Sequence, residues 1–374
     1  MDFPTNRFTQ LADELGATFA PRAAKCDESD TFVADNYADL KARKLIAAAV
    51  PEELGGGGAT PADLAGFLRT LAHHCSSTAL AFSMHTHLVA TAAWRWRNQK
   101  APVEPLLKRI AQEEIVLIST GGADWLKGSA AATKVEGGYR VTGRKIFCSG
   151  APAGSLMMTT AVFADPAEGP TVLQIAVPVS AAGVKIQDNW RTLGMRATAS
   201  HDITFEDVFV PDAAVALKRK SGKWHPLIDI VVLVAIPLIN SVYLGVAEAA
   251  RNVAIDMAQK KRDDRAVQAL AGEMDNELTA AQLALARMID LTMTSQPSAA
   301  VSTEMMRCRA LLGRTARATV DKAMEVAGGS SFYRANKLER LFRDIQGVRF
   351  HPLQDKPQAI MAGRHALGLP LDDE

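Results

Sequence analysis

The sequence predicts an α+β protein, mostly α, in three consecutive domains: helical over residues 1–115, β over 116–215 and helical again over 216–374. Three observations predict it. Apolar residues recur at helical spacing in the outer blocks, as in Leu11, Leu15 and Phe19 or Leu64, Phe67, Leu68 and Leu71. Glycine, proline and alternating β-branched residues crowd the middle block. No Gly-x-Gly-x-x-Gly fingerprint follows any strand, so the middle reads as a compact β-domain and not as a doubly wound parallel sheet.

In the first block, Val50-Pro51-Glu52-Glu53-Leu54 runs into Gly55-Gly56-Gly57-Gly58. No Gly-Lys-Ser/Thr follows, so this is a helix-ending turn and not a phosphate loop. Thr60 is the expected N-cap of the next helix, with Pro61 at its first position and Asp63 in its first turn. In the middle block, residues 137–147 read as a strand, a turn and a strand, and 172–177 as a further apolar strand. Asp202-Ile203-Thr204-Phe205-Glu206 alternates, which puts Ile203 and Phe205 on one face. In the last block, residues 245–262 and 272–293 predict long antiparallel helices. The most apolar run, 227–239, is too short to span a bilayer and carries Asp229 and Pro237, so it predicts a buried helix. Gly328-Gly329-Ser330-Ser331 breaks the pattern, and 338–344 restores a short helix.

Composition narrows the function classes. Of 374 residues, 48% are hydrophobic and 22% charged, ordinary for a globular protein. Lys plus Arg is 42 against 41 Asp plus Glu, a net charge of +1, which gives no reason to expect nucleic acid or an anionic membrane as partner. Short basic clusters at Lys218-Arg219-Lys220 and Lys260-Lys261-Arg262 read as solvated charge. Cys26, Cys75, Cys148 and Cys308 are far apart, which argues against a metal site or disulfide framework and for reduced thiols in a cytoplasm. The residues from Met1 to Arg7 lack the apolar core of a signal peptide.

Four motifs carry chemistry. Arg343-Asp344 precedes Gly347 and His351-Pro352-Leu353-Gln354. Trp190-Arg191-Thr192-Leu193-Gly194-Met195-Arg196 leads to a strand through Phe205 and to Val208-Phe209-Val210-Pro211. Gly143-Arg144-Lys145-Ile146-Phe147-Cys148-Ser149-Gly150 ends a strand, and Glu325-Val326-Ala327-Gly328-Gly329 ends a helix. Together they resemble the acyl-CoA dehydrogenase superfamily of flavoproteins, over nearly the whole chain. The resemblance implies an N-terminal helical domain, a middle β-barrel and a C-terminal four-helix bundle, with the flavin between the last two domains. It implies a homotetramer, because in the family the flavin site is completed across a subunit interface.

The resemblance also assigns roles. Phe147 packs near the isoalloxazine, and Ser149 hydrogen-bonds flavin N5, a task a small hydroxyl suits because it both donates and accepts. Ser119 and Thr120 reach the flavin pyrimidine. Gly328 and Gly329 allow close backbone approach to the dinucleotide. FAD is the implied cofactor, with FMN admitted because Glu325 replaces the family's glutamine and no Phe-Gly follows Arg262. His85 is the implied histidine lining the substrate pocket; it lies two residues from His87 and so on a different helix face.

The family's defining reaction removes a proton α to a thioester and needs a carboxylate. At its two usual places this sequence has His351-Pro352 and, in the apolar run, Ala235. The His-Pro ending resembles the branch of flavin-dependent monooxygenases such as dibenzothiophene monooxygenase. These take reduced flavin from a separate reductase, and a histidine titrating near neutrality suits their proton transfers. His351 and Ser149 are then the catalytic candidates, and the substrate is an aromatic or otherwise hydrophobic small molecule. Two alternatives stay open: an acyl-CoA dehydrogenase with its base displaced to Asp229 or Asp355, and a silent relative that binds flavin or acyl-CoA without turnover.

Overall fold

Asn6 opens the first helix by accepting hydrogen bonds from the backbone N–H groups of Phe8 and Thr9. That helix, α1 (Arg7–Glu28), is followed by α2 (Ala34–Ala42), α3 (Pro61–His74), α4 (Ser76–Gln99) and α5 (Glu104–Glu113). The expected cap of α3 is present: Thr60 Oγ1 accepts from Asp63 N at 3.2 Å, and the Asp63 carboxylate accepts from Thr60 N at 3.0 Å. The computed structural model describes residues 6–120 and 124–372. Residues 1–5, on which the signal-peptide reading mostly rests, lie outside the described residues.

Among the described residues the middle domain is one sheet of eight strands: β1 (Leu117–Ser119), β2 (Ala131–Val135), β3 (Gly138–Lys145), β4 (Leu156–Asp165), β5 (Gly169–Pro178), β6 (Val184–Ile186), β7 (Ile203–Pro211) and β8 (Val215–Lys220). The order is β6-β7-β3-β2-β4-β5-β8, with β1 pairing β4. Ile203 and Phe205 do share the buried face of β7. The strand, turn and strand expected over 137–147 is one continuous strand. Gly143 marks a register shift opposite β7 and not a turn; at φ +156 a Cβ there would come within 2.6 Å of Ala130.

The last domain consists of α6 (Pro226–Ala258), α7 (Arg265–Thr294), α8 (Ala299–Ala327), α9 (Lys337–Ile345) and α10 (Asp355–Ala366). The two segments expected over 227–239 and 245–262 are one helix, because Gly245 lies inside α6 and not at its start. There it permits a close helix crossing: a Cβ would sit 2.2 Å from the Arg69 carbonyl of α3. Helix α6 is long and apolar enough to cross a membrane by length and composition, yet 94% of its most apolar stretch is buried inside the molecule. Leu233, Val242 and Leu244 are fully buried, each contributing about 1.5–3 kcal/mol.

Arg343 and Asp344 tie the three domains together. Arg343 Nη2 meets Asp27 of α1 at 2.6 Å, Nη1 donates to the Leu193 carbonyl at 3.1 Å, and Nε donates to Glu339 at 2.6 Å. The Asp344 carboxylate accepts from Ser76 Oγ at the start of α4 and from Met195 N at 2.5 Å. Gly194 is needed at this junction, since a Cβ would sit 2.3 Å from the Arg343 carbonyl. Two motifs far apart in sequence are thus the two halves of one joint.

Candidate active site

Between the sheet and helices α4, α5 and α6 lies a cleft of about 1510 Å³, mostly apolar. Its sheet wall begins at the end of β1, where Ser119 and Thr120 face the cavity and Thr120 Oγ1 lies 2.5 Å from Thr159 Oγ1. Beyond β3 the chain makes a tight turn. Cys148 N donates to the His201 carbonyl at 3.1 Å and Gly150 N to the Thr198 carbonyl at 2.9 Å. The buried Cys148 anchors that turn, which leaves Phe147 at φ +56 with 54% of its surface exposed. A left-handed aromatic residue is costly for a turn alone, and such strain concentrates at functional sites. The Phe147 ring stands edge-on to Trp190, with centroids 5.6 Å apart.

Ser149 is buried at the cleft wall, its Oγ 2.7 Å from Ser200 Oγ. Beside it, Lys145 is almost fully buried. Its ammonium donates to Asp124 Oδ2 at 2.7 Å, Ser129 Oγ at 2.6 Å and Thr160 Oγ1 at 3.1 Å. Burial alone would raise the Asp124 carboxyl, but Lys145 and the hydroxyls of Ser129 and Thr160 outweigh it and hold Asp124 below the usual range.

The helix wall carries His87 and Thr91 of α4, Ala235 and Tyr243 of α6, and His351. Arg309 of α8 fixes the His351 segment by donating Nη2 to the carbonyls of Val348 and His351, both at 2.7 Å. The His351 ring lies edge-on to Tyr243, centroids 5.4 Å apart. Burial, with Arg309 nearby, pushes the His351 imidazole down to about 4, and burial pushes His87 down to about 3. Both rings are therefore neutral at pH 7. Among the described residues, His87 Nδ1, Thr91 Oγ1 and the Tyr243 hydroxyl are buried without a hydrogen-bond partner, an arrangement that favours a ligand bringing its own polar group.

The residues singled out from sequence separate here. Ser119, Thr120, Phe147, Ser149 and His351 all line the cleft. His85 does not: its Nε2 meets the Ile46 carbonyl at 2.8 Å and its Nδ1 accepts from Leu117 N at 2.9 Å, so one nitrogen ties α4 to the turn that follows α2 and the other ties it to β1. His87, two residues on, takes the cleft position. Gly328 and Gly329 end α8 outside the cleft lining, Gly328 at φ +71 beside the exposed Phe332 and Tyr333. Sequence reasoning missed Lys145 with Asp124, and also Thr91, Tyr243 and Arg309. Tyr243 lay inside an apolar helix with nothing to mark it.

Among the described residues lining the cleft, the only carboxylate is Asp124. The displaced-base candidates lie elsewhere. Asp229 accepts from Trp224 Nε1 at 3.0 Å and Ser302 Oγ at 2.6 Å, and Asp355 pairs with Arg309 at 3.3 Å. Aromatic, hydroxyl and imidazole groups around a deep apolar cavity fit a planar redox cofactor. An exposed ring beside a buried hydroxyl suits a flavin, and the Ser119–Thr120 edge suits its pyrimidine.

A helical, sheet and helical domain around such a cleft define a flavoprotein oxidoreductase. The chain belongs to the acyl-CoA dehydrogenase superfamily: the profiles of its N-terminal, middle and C-terminal domains match residues 8–114, 119–208 and 238–356. A putative acyl-CoA dehydrogenase, YdbM of Bacillus subtilis, is 27% identical, the match covering 92% of each chain. L-evernosamine nitrososynthase of a Micromonospora species is 28% identical over 94% of this chain and 88% of that one. Dibenzothiophene monooxygenase of Mycolicibacterium goodii is 26% identical over 92% and 89%. The structure of KijD3 in complex with FMN and dTDP-3-amino-2,3,6-trideoxy-4-keto-3-methyl-D-glucose matches with a TM-score of 0.87 at 27% identity, over 99% of this chain and 96% of that one. The chain is a flavin-dependent oxidoreductase of the monooxygenase-like branch.

Proposed function

We propose that this enzyme takes reduced flavin, FAD or FMN, from a separate reductase and inserts one oxygen atom of dioxygen into a small apolar substrate. The observation that carries the reading is the lining of the cleft: Ala235 and His351-Pro352, which motif spacing sets where the resemblance puts a carboxylate base, line it, and the sole lining carboxylate among the described residues is committed to Lys145. A thioester bound there meets no free carboxylate for its α-proton. When bound, reduced flavin supplies the two electrons that activate dioxygen.

Ser149 holds the N5 edge, Phe147 packs on the ring system, and Ser119 and Thr120 bond the pyrimidine edge. His87, Thr91, Tyr243 and His351 face the substrate. Burial and Arg309 leave His351 at about 4 and not at the near-neutral value expected from the sequence, so it is a weak base that takes a proton only from the substrate atom already being oxidised, where that proton is acidic, and passes it on. An amine nitrogen suits this site: neutral imidazoles and hydroxyls favour its uncharged, nucleophilic form. The nitrososynthase relatives support that choice. The domain limits 1–115, 116–215 and 216–374, a homotetramer that brings Gly328 and Gly329 to a neighbour's flavin, and a cytoplasmic setting complete the proposal. The unpaired Cys26, Cys75, Cys148 and Cys308 accord with a reducing compartment.

A paired incubation tests this reading. Protein, chemically reduced FMN and isotopically labelled dioxygen are mixed with a panel of amines and aromatic compounds, and in parallel protein with oxidised FAD is mixed anaerobically with acyl-CoA thioesters. One labelled oxygen in a product is the expected result. Anaerobic bleaching of the flavin by an acyl-CoA would overturn it.

A further inference from the structure

Behind Ser149 runs a file of hydroxyls whose direction is set at its far end. Thr198 Oγ1 donates to the Met195 carbonyl at 2.9 Å. Ser200 Oγ lies 2.7 Å from Thr198 Oγ1, and Ser149 Oγ lies 2.7 Å from Ser200 Oγ. A hydroxyl has one proton. With its proton on a carbonyl, which only accepts, Thr198 receives from Ser200, and Ser200 receives from Ser149. Thr198 is fully buried, and Ser149 and Ser200 are buried apart from the face they turn to the cleft, where a bound flavin displaces water. Ser149 therefore turns only lone pairs toward the cleft.

Flavin N5 reads that polarity. In the oxidised ring N5 is an acceptor, and two lone-pair carriers facing each other gain nothing. In the reduced ring N5 carries a hydrogen and donates to Ser149. We propose that Ser200 and Thr198 are positioning residues that polarise Ser149, so that this site binds reduced flavin in preference to oxidised flavin. The inference rests on the flavin reading above and extends it: the reductase-delivered form is selected by a hydroxyl file and not by a charged group. It also corrects the expectation that the Ser149 hydroxyl both donates to and accepts from N5, since its proton is already engaged.

Anaerobic fluorescence titration with oxidised FMN and with dithionite-reduced FMN tests it, on the full-length protein and on S200A, S200T, T198V and S149A. The unaltered protein is expected to bind reduced FMN about tenfold or more tightly than oxidised FMN, the worth of one hydrogen bond; for a two-electron couple tenfold is about 30 mV in potential. In S200A and T198V the Ser149 proton is released to donate to oxidised N5. Oxidised FMN should then bind more tightly and the ratio should shrink by about tenfold. S200T keeps the relay and should keep the ratio, whereas S149A should lose reduced-state affinity with no gain for the oxidised state. A merely structural role would weaken both redox states together in S200A and T198V, and that outcome overturns the relay while leaving the flavin reading intact. Equal binding of the two states by the unaltered protein overturns it likewise. No binding of either state overturns the flavin reading and the relay with it.

Discussion

Two stretches a few residues apart near the C-terminus have opposite characters. Arg343 and Asp344 have their polar groups engaged, by Asp27, Glu339, Leu193, Ser76 and Met195. At His351 the backbone carbonyl is held by Arg309 while the imidazole faces the cleft, edge-on to a tyrosine whose hydroxyl has no partner. The first stretch builds the fold and the second carries chemistry. Because none of those side-chain hydrogen bonds of Arg343 and Asp344 goes to His351, the reacting residue can change while the joint stays.

The largest way to break that contrast is Arg343→Ala. It leaves the buried Asp27 without its cation and is expected to cost about 3–5 kcal/mol, read from the midpoint of urea unfolding. His351→Ala is expected to keep the midpoint and flavin affinity while turnover falls about a hundredfold, the usual worth of a positioned acid or base. Full activity in that variant would remove His351 from the mechanism, and a large loss of stability would erase the distinction between the stretches.

A smaller pair of changes sharpens the same contrast within α4. His85→Ala strips partners from the Ile46 carbonyl and Leu117 N–H and is expected to cost about 2 kcal/mol. Its effect on substrate KM should be slight. His87→Ala should do the reverse, raising KM at nearly unchanged stability, as steady-state kinetics and unfolding of the two variants would show.

The most gradual expected effect is on pH dependence. Burial lowers His85 and His351 from 6.5 to about 4 and His87 to about 3. Between those values and 6.5 the unfolded chain binds protons that the folded chain refuses, so stability falls as pH drops through this window. The slope is at most about 1.4 kcal/mol per pH unit for each histidine. Above pH 7 these groups contribute no slope. His351→Gln should make the unfolding midpoint less sensitive to pH between 4 and 6.5, and an unchanged slope would show that His351 is not buried as described.

Much of this was legible in the sequence because it rests on local signals. The Thr60 cap, the alternation through Ile203 and Phe205, and the hydroxyl at Ser149 are all set by neighbours in sequence. What was not legible depends on contacts between distant segments. Gly245 reads as a helix boundary because glycine is a poor helix former, yet it sits mid-helix to let α3 and α6 cross. His85 and His87 are indistinguishable by composition, and only the position of β1 decides which one faces the cleft. The direction of the Ser149 hydroxyl depends on Thr198 and Met195, which no spacing rule connects to it.

The claim that the cleft has exchanged a carboxylate base for a neutral histidine is tested most directly by proton exchange. Octanoyl-CoA is incubated anaerobically with the flavin-loaded protein in deuterated water, and the α-protons are followed by NMR. The account expects them to remain at the rate seen without protein. Protein-dependent deuterium uptake at the α-carbon would reveal a base in the cleft strong enough to remove an α-proton and contradict it.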